Sequence, residues 1–153
     1  MKTVVLAFIP IISAVIGYLI SAGYKESSDF WDSFLTWHKK IKSEIAFSQS
    51  SLTEIFAIDD KTDAFLCAAK EYLSNNEVSD KLSFLSKEEK SFLEKYLTRL
   101  GTTDKDSQLD FLNSMENELN SFRNSAEMKH KKMRPLYVKL GFLLGLIVFI
   151  LVV

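Results

Sequence analysis

Charge is absent from both ends of this chain and crowded into its middle, and that distribution constrains everything else. Residues 3–24 carry no charged side chain, and residues 140–153 carry none either. Between them, residues 24–134 form a polar stretch of 111 residues, enough for one modest core and too short for two. The first apolar run spans about 30 Å as a helix, the thickness of a bilayer's hydrocarbon core. A cleaved signal peptide is the rival reading, with Lys2 as its basic start and Ser21-Ala22-Gly23 as small residues for cleavage. The run is longer than a usual signal-peptide apolar region, so an uncleaved anchor is expected. At the other end, residues 135–153 hold a single charge, Lys139, which can snorkel towards the headgroups, while Tyr137 suits the interface. The expected organisation is a transmembrane helix over 1–24, a helical domain over 25–134 and a second transmembrane helix over 135–153.

Two spans would leave both ends of the middle domain on one side of the membrane. Residues 123–139 hold Arg123, Lys129, Lys131, Lys132, Arg134 and Lys139 against the single acid Glu127, a net charge of +5. With Lys25, Lys39, Lys40 and Lys42 after the first run, they argue that this side is the cytoplasm. Residues 24–122 carry twelve basic against nineteen acidic side chains, a net charge of −7. An acidic body beside a basic cuff is a poor nucleic-acid binder, which needs positive charge across its working face. It suits a domain held close to an anionic membrane. Ser13, Gly17 and Ser21 in the first run and Gly141 and Gly145 in the second recur at helical spacing, which lets two helix backbones approach closely in lipid.

Within the middle, apolar residues recur at helical period throughout, and no stretch alternates as a strand does. A helix is expected to start after Ser27-Ser28-Asp29, with Phe30, Phe34, Trp37, Ile41 and Ile45 on one face. Ser51-x-x-Glu54 opens a short helix over Leu52–Ile58 as a capping box. Thr62 or Asp63 caps a helix carrying Phe65, Leu66, Ala69, Tyr72 and Leu73, and Val78–Leu85 forms a further short helix or turn. A second capping box, Ser86-x-x-Glu89, precedes Phe92, Leu93, Tyr96, Leu97 and Leu100, and Gly101 is a left-handed stop. A last helix from Thr103-Asp104 carries the seam Gln108, Leu112, Met115, Leu119, Phe122 and Ala126, with Pro135 expected to kink or break it. The expected fold class is all-α: a bundle of five or six antiparallel helices flanked by two transmembrane helices.

Chemistry finds little purchase here. Neither His38 nor His130 has a histidine, aspartate or glutamate partner four residues on, and His38 beside Trp37 reads as a residue at the core boundary. Cys67, between Leu66 and Ala68, reads as a small core residue, and one cysteine allows neither a disulfide framework nor a cysteine-based zinc site. Asp59-Asp60-x-x-Asp63 superficially matches the Asp-rich pattern of prenyl-transfer enzymes, but a domain this small encloses no cavity for that chemistry, so it reads as a turn and cap. No G-x-x-x-x-G-K-[ST] is present to cradle nucleotide phosphates. No catalytic, cofactor-binding or metal-ligating set emerges, and an interaction role is expected.

Three stretches resemble a known family. Ser43-Glu44-Ile45-Ala46-Phe47 followed by Ser51-Leu52-Thr53-Glu54 is similar to the T-E-I-x-Y … P-L-x-E segment of the stage III sporulation protein AB family. Leu100-Gly101-Thr102-Thr103-Asp104 with Gln108 resembles that family's L-G-x-[ST]-D … Q opening of the last helix. Lys132-Met133 and Lys139 through Gly145 resemble its K-M-x-x-x-L-G-x-L-x-G close. Ser51 stands where proline is usual, Phe47 where tyrosine is, and residues 59–86 carry no match. The resemblance implies family-motif positions at Glu44, Ile45, Leu52, Leu100, Gly101, Asp104 and Gln108. It also implies a part in the secretion-like channel between mother cell and forespore, with a helical domain similar to the cytoplasmic domain of the type II secretion F platform protein. By that likeness the chain would sit in the mother-cell membrane facing the forespore. There it would dock a cytoplasmic secretion-type ATPase to other membrane proteins of the apparatus, with no small-molecule substrate. Two other readings stand beside it: a membrane-anchored helical regulator that binds a signalling partner, and a secreted helical protein if residues 1–22 are cleaved.

Overall fold

The computed structural model describes residues 8–47, 56, 63–75, 78 and 82–152. Regular structure among them is entirely α-helical: α1 Phe8–Phe47, α2 Ala64–Asn75, α3 Lys87–Arg99 and α4 Lys105–Val152. Tertiary contacts divide the chain into two compact units, Met1–Glu26 with Ala126–Val153 and Ser27–Ser125. The first is the apolar unit and the second the polar unit. The expected helix over Leu52–Ile58 lies outside the described residues apart from Phe56. Of the Val78–Leu85 segment, the described end is a turn in which the Leu85 N–H donates to the Leu82 carbonyl at 3.1 Å.

Two expected helix boundaries are absent. α1 runs 40 residues through Ser27-Ser28-Asp29, and α4 runs 48 residues through Pro135. Serine and aspartate favour caps, yet with no proline and no glycine between Gly23 and Phe47 the helix has nothing to stop it. Proline removes one backbone donor and costs a helix about 3 kcal/mol, which packed turns on both sides can carry. Among the described residues one helix is long and apolar enough to cross a membrane, the Lys105–Leu151 stretch of α4, and only 11% of its most apolar window is covered by the rest of the protein. Two such helices are expected from the sequence, and residues 1–7 of the first apolar run fall outside the described part.

The polar unit is built on aromatic rings. Phe30, Trp31, Phe34, His38 and Ile41 of α1 are fully buried, as are Phe65 and Leu66 of α2, Leu93 and Tyr96 of α3, and Leu112 and Leu119 of α4. Phe34 stacks on Phe65 with centroids 4.2 Å apart and meets Tyr96 edge-on at 4.8 Å, while Trp31 stacks on Phe122 at 5.0 Å. Each such pair contributes about 0.5–1.5 kcal/mol beyond the area it buries. Two residues depart from expectation. Leu73 is 61% exposed, because it follows Tyr72 round the helix and off the buried face. Cys67 likewise lies at the surface of α2 rather than in its core.

Polar groups lock this core at two places. Asp63 caps α2, its Oδ1 accepting from the Leu66 N–H at 2.9 Å. The same carboxylate accepts from Ser33 Oγ at 2.5 Å and from Trp37 Nε1 at 2.7 Å, so it also fastens α2 to α1. The Ser86 capping box forms as expected at the start of α3. His38 is buried without exposure, where the sequence reading places it at a boundary; its Nδ1 lies 3.1 Å from Tyr96 Oη. Its Nε2 has no hydrogen-bond partner among the described residues. Burial holds its pKa below the ordinary histidine value, partly offset by Glu116, with Lys42 and Lys39 adding to the lowering.

Asp63→Ala should therefore destabilise the polar unit by about 2–4 kcal/mol, the sum of a lost cap and a stranded Trp37 N–H, as read by denaturant unfolding. His38 contributes stability that is fully present above the unfolded histidine value of about 6.5 and is lost as pH falls from there towards its lowered folded value. The slope is at most about 1.4 kcal/mol per pH unit. Comparing unfolding of the native chain and His38→Leu across that window should show the acid-side loss flattened in the variant; parallel curves would contradict it.

Candidate functional site

The family-motif positions sort by structure into a turn. α3 ends at Leu100, whose N–H donates to the Tyr96 carbonyl at 3.1 Å, and Gly101 follows with φ of 77°. That left-handed conformation suits glycine because other residues meet their own Cβ there. Gln108 is 3% exposed, and its Oε1 accepts from the Gly101 N–H at 3.0 Å and from Thr103 Oγ1 at 3.3 Å. Asp104 caps α4: its Oδ2 accepts from the Ser107 N–H at 3.2 Å, and its carbonyl accepts from the Gln108 N–H at 2.9 Å. Those bonds to Ser107 hold the Asp104 carboxyl below its ordinary range. Glycine, aspartate and glutamine at this spacing thus form one hydrogen-bonded lock on the α3–α4 turn.

Lys105 extends the lock to α1, its Nζ donating to the Ala46 carbonyl at 2.8 Å. Glu44 and Ile45, half-buried in the last turns of α1, therefore lie at the same end of the polar unit as the turn. Leu52 lies outside the described residues. Further along, Lys42 pairs with Glu116 at 2.7 Å and Arg123 with Asp32 at 2.6 Å, tying α1 to α4. The Lys42 bond holds the Glu116 carboxyl below its ordinary range. At these partly exposed positions each pair stabilises by at most about 1 kcal/mol.

Outward, the polar unit shows a strip along α4 made of Asp106, Asp110, Asn113, Asn117, Ser121 and Asn124, all exposed. Between Lys105 and Arg123 the chain holds no lysine or arginine, so the strip is acidic at one end and uncharged beyond. An open depression of about 440 Å³ lies nearby over Phe92, edged by Lys87, Lys95, Glu88 and Glu118. Ser91 also lines it, and its two lysines and two glutamates balance in charge. No cluster of three metal-ligating side chains occurs among the described residues.

In the apolar unit the expected small residues take distinct places. Gly17 is buried, and a Cβ there would collide with the Tyr137 carbonyl. A Cβ on Gly141 would come to 2.5 Å from the Ser13 carbonyl and 3.5 Å from the Ala14 Cα. The helices thus run antiparallel with backbones in contact, Ser13 level with Gly141 and Gly17 with Tyr137. Ser21 is buried but donates to the Tyr18 carbonyl of its own helix at 2.7 Å, and Gly145 is buried. Tyr24 and Tyr137 stack with centroids 5.9 Å apart. Replacing Gly17 and Gly141 together by leucine should push the helices apart and weaken their pairing by about 1–2 kcal/mol. Disulfide crosslinking of cysteines placed in the two helices should fall accordingly, and unchanged crosslinking would count against the contact.

No curated protein and no solved structure matches the chain significantly. The family model described as stage III sporulation protein AB matches residues 2–153, nearly its whole length. The span takes in both the turn lock around Gly101 and the glycine contact at Gly141. The chain belongs to the stage III sporulation protein AB family.

Proposed function

We propose that this stage III sporulation protein is a non-catalytic adaptor, anchored by two membrane-spanning helices, whose polar unit docks a cytoplasmic secretion-type ATPase. The apparatus is the secretion-like channel between mother cell and forespore, and the anchor lies in the mother-cell membrane. The observation that carries this reading is the α4 strip. Asp106, Asp110 and the asparagines and serines beyond them are exposed and short, on a helix braced by the Gln108 lock and by two ion pairs to α1. Short side chains lose little conformational entropy on docking. Beyond Lys105, whose Nζ is engaged by the Ala46 carbonyl, no lysine or arginine of α4 before Arg123 offsets Asp106 and Asp110, and an acidic end of this kind steers a basic partner face.

Association of the full chain in lipid nanodiscs with the purified ATPase should slow as salt rises. Asp106→Lys with Asp110→Lys should weaken it by about tenfold or more, with thermal unfolding lowered only by the cation that replaces the Asp106 charge in the first turn of α4, an effect that Asp106→Asn with Asp110→Lys largely avoids. A folded, inserted protein that never accompanies the ATPase, and whose deletion leaves sporulation intact, would favour a membrane-anchored regulator instead.

A further inference from the structure

The register of the apolar unit staggers charge against grease. With Ser13 level with Gly141 and Gly17 with Tyr137, paired positions sum to about 154, so Lys139 stands beside Val15 and Ile16, and Arg134 beside Ile20 and Ser21. On α1 the nearest charge is Lys25, nine or ten positions further along. At a helical rise of 1.5 Å per residue, charge on α4 begins about 14 Å deeper than charge on α1. Around that depth Ile16, Leu19 and Ile20 point outward, 51%, 63% and 57% exposed. Arg134 lies over the ring of Tyr18, its guanidinium carbon 5.2 Å from the ring centroid, and Lys139 is exposed. No flat boundary between headgroups and hydrocarbon satisfies both helices. A boundary at Lys25, level with Lys129, leaves Lys131, Lys132, Arg134 and Lys139 below it, Arg134 and Lys139 deepest, and one at Lys139 puts Ile16, Leu19 and Ile20 of α1 among headgroups.

We propose that Arg134 and Lys139 draw the phosphate groups of anionic phospholipids down the α4 side of the helix pair, forming a lipid-headgroup site below the level reached on the α1 side. The site rests on the membrane-anchored reading above. Both side chains are long enough to snorkel, and a phosphate brought to them neutralises charge that the helix pair itself leaves uncompensated. The segment favours anionic over zwitterionic lipid. Residues 126–139 hold five basic side chains against one acid, Glu127, which Lys131 meets at 2.5 Å, leaving a net charge of +4. Tyr18 completes the site as a ring that holds the guanidinium plane.

The full chain, reconstituted in phosphatidylcholine vesicles containing a minority of phosphatidylglycerol, tests this with spin-labelled forms of each lipid. The motion-restricted shell around the protein should prefer phosphatidylglycerol by about fivefold or more, the worth of one cation near an anionic surface. Arg134→Gln with Lys139→Gln should abolish the preference, Arg134→Lys with Lys139→Arg should keep it, and Lys129→Gln with Lys132→Gln should leave most of it. Added inorganic phosphate should not compete. A preference that follows Lys129 and Lys132 instead, or no preference in a protein that resists alkaline extraction, would overturn the site while leaving the anchor standing. Release of the native chain by alkaline extraction would overturn both.

Discussion

Phe34 is the side chain to which the polar unit is fastened. It lies within ring contact of Phe30 and Trp31 on its own helix, Phe65 on α2, and Phe92 and Tyr96 on α3, while Trp31 passes the contact on to Phe122 of α4. Flat rings that stack at one face and meet edges at the other fix orientation as well as distance, which aliphatic packing does loosely. α2 is short and α3 is highly charged, so neither would persist alone. Their helicity depends on presenting Phe65, Phe92 and Tyr96 to that ring cluster.

Much of this was legible from residue spacing. Phe30, Phe34, Trp37 and Ile41 fall on the buried side of α1, and Gln108, Leu112, Met115 and Leu119 on that of α4. The capping box at Ser86 and the left-handed Gly101 follow from local chemistry that needs no tertiary partner. What spacing could not show is context. Trp31 and His38 occupy positions adjacent to the expected stripe, and a core wide enough to touch α1 from three neighbours buries them too. Ser27-Ser28-Asp29 has the composition of a cap, but a cap needs the preceding residues to leave the helix, and nothing before them obliges it.

The candidate site was legible in a different sense. The family resemblance points to Gly101, Asp104 and Gln108, and the geometry gives them a structural meaning, a turn held by hydrogen bonds to the Gln108 Oε1 and the Asp104 carboxylate. Positions that hold a turn are unsuited to contact a partner directly, because changing them alters the scaffold first. The exposed strip beginning at Asp106 carries no pattern that stands out in sequence, since aspartate, asparagine and serine on the outside of a helix are ordinary. It becomes distinctive only once the inward face is known.

Both tryptophans of the chain, Trp31 and Trp37, sit in the polar unit, one fully buried and one nearly so. Trp37 also donates to Asp63 and lies under Lys40 at 4.5 Å. Tryptophan emission from the intact protein, excited at wavelengths that tyrosine does not absorb, therefore originates from the polar unit alone, with no background from the apolar unit. A partner that loosens or tightens this core announces itself in the colour of that emission, without any label attached to the chain.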